Sequence, residues 1–220
     1  MLAYHNDPKL KQEILEQLQI HHDADEIIKG VYWENGKGCA VGCTLHSHNH
    51  QEYETRFGIP EILAHLEDAI FESLPNDLAK TWPIRFMAAI PVGADLSGIW
   101  RDFATWMLID PVDGVIQYTT PGTDAHEVII KVANLYQHGY TTQQMRDAYD
   151  AAYDHIYAAY DHIYDASVAT IAVYAAKASV VYFSAAAAVY AAHPSVAFCT
   201  KMGNKLIELL EKQEAKNDYK

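Results

Sequence analysis

Twenty residues, Asn35 to Glu54, read Asn-Gly-Lys-Gly-Cys-Ala-Val-Gly-Cys-Thr-Leu-His-Ser-His-Asn-His-Gln-Glu-Tyr-Glu and hold two of the three cysteines and three of the twelve histidines of the chain. Thiolate and imidazole are the donors zinc takes most readily, and a cysteine beside a lysine at a helix start is also a setting that activates a thiol. Drawn as one helix from Lys37 to Phe57, the run places Cys39, Cys43, His46, His50, Tyr53 and Glu54 on one face and turns His48 away. At the helical rise Cys39 and His50 stand about 16 Å apart, too far to share a tetrahedral ion. The workable set is therefore Cys39, Cys43 and His46, with His50 or another segment completing it, zinc being the first ion expected and iron the second.

Three other readings compete. The spacing Cys-x-x-x-Cys-x-x-His resembles the iron–sulfur signature of radical S-adenosylmethionine enzymes, but His46 stands where that signature needs a third cysteine. Cys39, after Gly36-Lys37-Gly38, could be a reactive thiol. The small residues Gly38, Cys39, Ala40, Gly42 and Cys43 equally suit a segment pressed against a neighbouring helix, and this packing reading leads. No second Cys-x-x-Cys or His-x-x-x-His follows, and Cys199 stands alone. Further along, Glu61, His65, Asp68 and Glu72 recur at spacings of four, three and four. That edge resembles the inward face of di-iron bundles, but without a Glu-x-x-His signature it is expected to be a solvated face.

The elements that position these residues read as helices. Asp7-Pro8 followed by Leu10, Ile14, Leu15 and Leu18 predicts a helix from Pro8 to about Ile20. Ile27 to Trp33 could be a short helix or strand, and Glu34 to Gly38 is a glycine-rich turn. Ile62, Leu63, Leu66, Ile70, Phe71 and Leu74 form a helical stripe that Pro75-Asn76 ends. Further helices are expected from Pro83 to Ile90, from Leu96 to Ile109, from Thr123 to Gly139 and from about Ser195 to Glu214. Val115 to Thr119 is the one place for a small hairpin.

From Thr141 to about Ala192 the chain predicts one long helix rich in alanine and tyrosine. It contains a perfect tandem copy, Ala-Ala-Tyr-Asp-His-Ile-Tyr, at residues 151–157 and 158–164. Seven residues are nearly two turns, so the copy preserves a face carrying Tyr149, Tyr153, Tyr157, Tyr160 and Tyr164, a candidate interface. His155 and His162 lie opposite that face and are expected to be exposed. Residues 166–192 carry one charge, Lys177, and are read as a buried or oligomer-contacting helix rather than a membrane span.

Composition bounds the function. The formal net charge of −13 over 220 residues argues against nucleic-acid phosphate or an anionic membrane as the main partner, leaving only the option of a DNA-mimicking acidic surface. Three cysteines and a polar amphipathic start predict a cytoplasmic protein with reduced thiols. No phosphate loop, dinucleotide fingerprint or nucleophile elbow is present.

Gly36-Lys37-Gly38-Cys39-Ala40-Val41-Gly42-Cys43-Thr44-Leu45-His46, then Gly58-Ile59-Pro60-Glu61, Leu66-Glu67-Asp68 and Ile90-Pro91-Val92-Gly93-Ala94-Asp95-Leu96, resemble a group of uncharacterised bacterial and phage-borne proteins over about residues 30–110. The resemblance implies a shared module and no activity. The sequence thus predicts an all-α, multi-helix bundle in a single domain, with the long Ala/Tyr helix at its centre. Its expected role is a non-enzymatic interaction or self-associating protein. The alternatives are a zinc or iron site at Cys39, Cys43, His46 and His50, or a thiol-dependent enzyme.

Overall fold

The computed structural model describes residues 1–158 and 196–214. Among those residues nine α-helices carry the fold, and a two-stranded antiparallel hairpin is the only sheet. The class is all-α, as the apolar spacing predicts. The chain partitions into two compact units, residues 1–99 with 195–220 and residues 100–194.

In the first unit, α1 (Pro8–Asp23) starts where Asp7 accepts a hydrogen bond from Lys9 N–H and Pro8 takes the first turn. It buries Ile14, Leu18 and His21. At the centre are α4 (Glu61–Ser73) and α5 (Asn76–Ala89), which pack against each other and against α9 (Val196–Glu211). Gly203 of α9 meets the Trp82 indole, where a Cβ would sit 3.1 Å from the ring. The sequence places the start of α5 at Pro83, whereas the helix begins at Asn76 and runs through that proline. Burial of Ala79, Trp82, Phe86 and Met87 carries it past the missing N–H.

The Cys/His run is two short helices rather than one, α2 (Ala40–Leu45) and α3 (Glu52–Phe57). His46 ends α2 in the left-handed region at φ 54°. Beyond it, Ser47 Oγ accepts from Asn49 N–H and Asn49 Oδ1 from Gln51 N–H, local bonds that compete with a helix. Ahead of α2, β1 (Trp33–Glu34) and β2 (Lys37–Gly38) form the hairpin, closed by Asn35 and Gly36 at φ 52° and 83°. Two positive φ values in a two-residue loop are the type I′ pattern. The hairpin expected at Val115 to Thr119 is instead a 3₁₀ turn, Val115–Tyr118, which Thr119 closes onto Ile116 O.

α2 lies hard against Tyr32, the residue that leads into the hairpin's first strand. Built on Gly38 or Gly42, a Cβ would fall 2.1 or 1.4 Å from the carbonyl oxygen of Tyr32. The glycines are therefore used for close approach to a backbone carbonyl, while α2 as a whole packs against α1, α4 and α5 as the small residues predict.

The second unit holds α6 (Ile99–Ile109, from Trp100 on), α7 (Asp124–His138) and α8 (Thr142–Ala158). Thr123 caps α7 and Gly139 ends it at φ 86°, while Thr141 Oγ1 accepts from Gln144 N–H at the start of α8. Trp100 Nε1–H donates to the Tyr136 hydroxyl (2.9 Å), tying α6 to α7. Of the long Ala/Tyr stretch only α8 is described; residues 159–192, with nearly all of the second tandem copy, lie outside the described residues. No helix among the described residues is long and apolar enough to cross a membrane.

Candidate metal centre

Two elements supply most of the site. Along α4, Glu61, His65, Asp68 and Glu72 fall on one face because spacings of four, three and four return to the same side of a helix. Facing them is Cys39, the N-cap of α2, whose Sγ accepts from Gly42 N–H (3.5 Å) and whose own N–H donates to Val31 O (2.7 Å). Cys39 Sγ and one carboxylate oxygen from each of Asp68 and Glu72 lie within 4.8 Å of one another.

His50, in the link between α2 and α3, joins this group through Asp68. Its Nε2 stands 3.6 Å from Asp68 Oδ2. Its ring stacks on that of His65, with centroids 4.1 Å apart and planes 7° from parallel, and Tyr32 meets it edge-on. His65 Nε2 in turn lies 3.5 Å from Glu61 Oε1. The Gly30 N–H donates to both oxygens of Glu72 (3.0 and 3.2 Å), fixing that carboxylate from behind.

The expectation of a solvated face for this edge of α4 does not hold. The Asp68 side chain is 14% exposed and that of His65 17%, because the 30–50 segment folds over them. Burial, and then the carboxylate of Asp68, push the Cys39 thiol far above its ordinary value. Burial and Asp68 also raise Glu72, against the pull of the Gly30 N–H and Lys29. His65 is lowered to about 4 by burial and by His50, so its ring is neutral at physiological pH.

A thiol and a carboxyl whose charged forms are disfavoured beside the Asp68 carboxylate are what a cation resolves, since a coordinated thiol loses its proton outright. His50 Nε2 and Asp68 Oδ1 are buried with no hydrogen-bond partner. Orphaned buried polar atoms are costly, and a buried imidazole nitrogen beside a carboxylate that itself adjoins a thiol and a second carboxylate fits an ion. One sulfur, one imidazole and two carboxylates suit zinc or ferrous iron. A tetrahedral ion would draw donors to about 3.3–3.8 Å from one another, a modest closing for Cys39, Asp68 and Glu72, whereas His50 stands outside that cluster and meets it only at Asp68.

Behind the site, Glu67 is fully buried, and its Oε2 accepts from the Tyr53 hydroxyl (2.6 Å). Burial holds its carboxyl well above the usual range.

The four ligands expected from sequence divide. Cys39 and His50 meet at Asp68, whereas Cys43 and His46 face other partners. Cys43 Sγ donates to Gly38 O (3.3 Å), and burial pushes its thiol up to about 12. His46 Nε2 lies 2.8 Å from His21 Nε2, and its ring stacks on Trp33. The separation follows from helix geometry, because α2 places Cys43 and His46 one and two turns beyond the Cys39 end. Asp68 and Glu72 carried a signal in their spacing, whereas nothing local marked Glu67 or His21. As a reactive thiol, Cys39 is 1% exposed with its proton held tightly, the opposite of activation. On the tyrosine face, Tyr149 is half-buried in α8; the side chains of Tyr153 and Tyr157 and all of Tyr160 and Tyr164 lie outside the described residues.

No protein-family profile, curated protein or solved structure matches the chain. The site is read from its own chemistry.

Proposed function

We propose that this is a metal-binding protein in which Cys39, His50, Asp68 and Glu72 hold a divalent transition ion, zinc or ferrous iron. The observation that carries the reading is the buried, unpartnered Nε2 of His50 beside Asp68, whose carboxylate shares a 4.8 Å cluster with Cys39 and Glu72. His65 orients the His50 ring by stacking, and Gly30 orients Glu72, the outer support that metal ligands use. With the ligands deep in the first unit, a bound ion would act first on stability, by about 2.7 kcal/mol at a free concentration one hundred times Kd.

Elemental analysis of protein purified without an affinity tag tests this. One equivalent of zinc or iron is expected, together with a lowered melting temperature on adding chelator, both lost in Asp68→Ala. A wild-type protein that neither retains nor takes up an ion sinks the reading.

A further inference from the structure

The C-terminal end of α2 carries a second constellation that the Cys39 site does not use. His21, in the last turn of α1, is 8% exposed, and its Nδ1 lies 2.6 Å from Glu26 Oε2. Its Nε2 points at His46 Nε2, 2.8 Å away, with ring centroids 5.0 Å apart. Trp33 walls the pair, stacked on His46 at 4.3 Å and edge-on to His21 at 5.4 Å. His46 itself is exposed.

With His21 Nδ1–H donating to the Glu26 carboxylate, a lone pair is left at His21 Nε2, and the proton between the two rings sits on His46 Nε2. A histidine whose far nitrogen is held by a carboxylate while the near one faces another imidazole is the arrangement that supports metal ligation. Burial, followed by the neighbouring His21 and Arg56, disfavours the charged form of His46, which keeps its ring available as a ligand. Arg56 opposes a cation, but its guanidinium is engaged with Leu45 O (2.7 Å) and Glu52.

We propose that His21 and His46 form a second, solvent-accessible site for a borderline divalent ion such as zinc, cobalt or nickel, with Glu26 as the outer carboxylate. The ion takes the place of the shared proton. That proton moves through solvent to His46 Nδ1, so the ring stays neutral and no net proton is released. Two nitrogens at about 2.0–2.1 Å from one ion lie about 3 Å apart when adjacent in its shell, so the present spacing needs only a small opening. His46, the exposed ring, makes that movement, and water completes the coordination. The seven residues from Cys39 to His46 put the two sites about 10 Å apart, at opposite ends of α2.

The test is cobalt binding by tag-free full-length protein, with stoichiometry from equilibrium dialysis and the thiolate-to-cobalt charge-transfer absorption read in parallel. Wild type is expected to take two equivalents. His46→Asn, which tolerates the left-handed backbone, and His21→Gln should each take one and keep the thiolate band. Cys39→Ser should lose the thiolate band and keep an equivalent that depends on His46. If His46→Asn and His21→Gln, folded by circular dichroism, bind as much cobalt as wild type, the second site is overturned. A missing thiolate band with one His46-dependent equivalent would remove the Cys39 reading and leave this one standing.

Discussion

His50 Nε2 stands 3.6 Å from Asp68 Oδ2 while its imidazole lies flat on that of His65, so one carboxylate and one ring fix both the direction and the plane of the histidine. Replacing His65 by alanine removes the stacking support and leaves every proposed ligand in place. Metal affinity should fall about 10- to 100-fold, the usual effect of losing outer-shell support. Competition with a chromophoric chelator measures it, and unchanged affinity would show that His65 does not orient the site.

The Tyr53 hydroxyl is the hydrogen-bond donor to Glu67 Oε2, and both side chains are fully buried. Tyr53→Phe strands a buried carboxyl and should cost about 1–3 kcal/mol in urea denaturation. Pairing it with Glu67→Met, which removes the stranded group, should recover more than about 0.5 kcal/mol of the summed single losses. Strict additivity would mean that the bond contributes nothing.

Folding holds His46 below its ordinary value of 6.5, so the unfolded chain takes up the proton first as pH falls. Stability from this group is complete above about pH 6.5 and is lost as pH drops through the lowered value. Between pH 7.5 and 5.5 the wild type should lose more stability than His46→Asn. Equal losses in the two proteins would remove His46 from the account.

Gly42→Ala would drive a Cβ to within 1.4 Å of the Tyr32 carbonyl oxygen, a clash between two backbones that no rotamer relieves. A loss of about 4 kcal/mol or more is expected, seen as failure to fold or a collapsed melting temperature. Gly36→Ala meets nothing within 4 Å and carries only the strain of φ 83°, about 1–2 kcal/mol. Similar melting temperatures for the two variants would contradict the close approach.

Periodicity made α1, α4, α7 and the start of α8 legible, because each has an apolar stripe and a local start signal, a capping side chain at Asp7, Thr123 and Thr141 and the proline at Pro60. The course of the Cys/His run was hidden, since it depends on Ser47 and Asn49 bonding their own backbone and on Tyr32 arriving from outside the segment. The site was half visible. Cys39 and His50 were named for their donor atoms, and Asp68 and Glu72 for their spacing. Their meeting is a tertiary fact, because a carboxylate on a helix face is solvated unless something covers it, and the covering segment, residues 30–50, belongs to other elements of the chain.

The parting of Cys39 from Cys43 and His46 bears on how the chain reaches its fold. In the unfolded polypeptide those three donors are close neighbours and free to chelate together; in the folded protein Cys43 is spent on Gly38 O and His46 faces His21. On the proposed metal site, an ion captured early would be held by the wrong ligands and would have to be surrendered before α2 forms. Such an ion would slow folding while favouring the folded end state, and refolding should run fastest when it is supplied last.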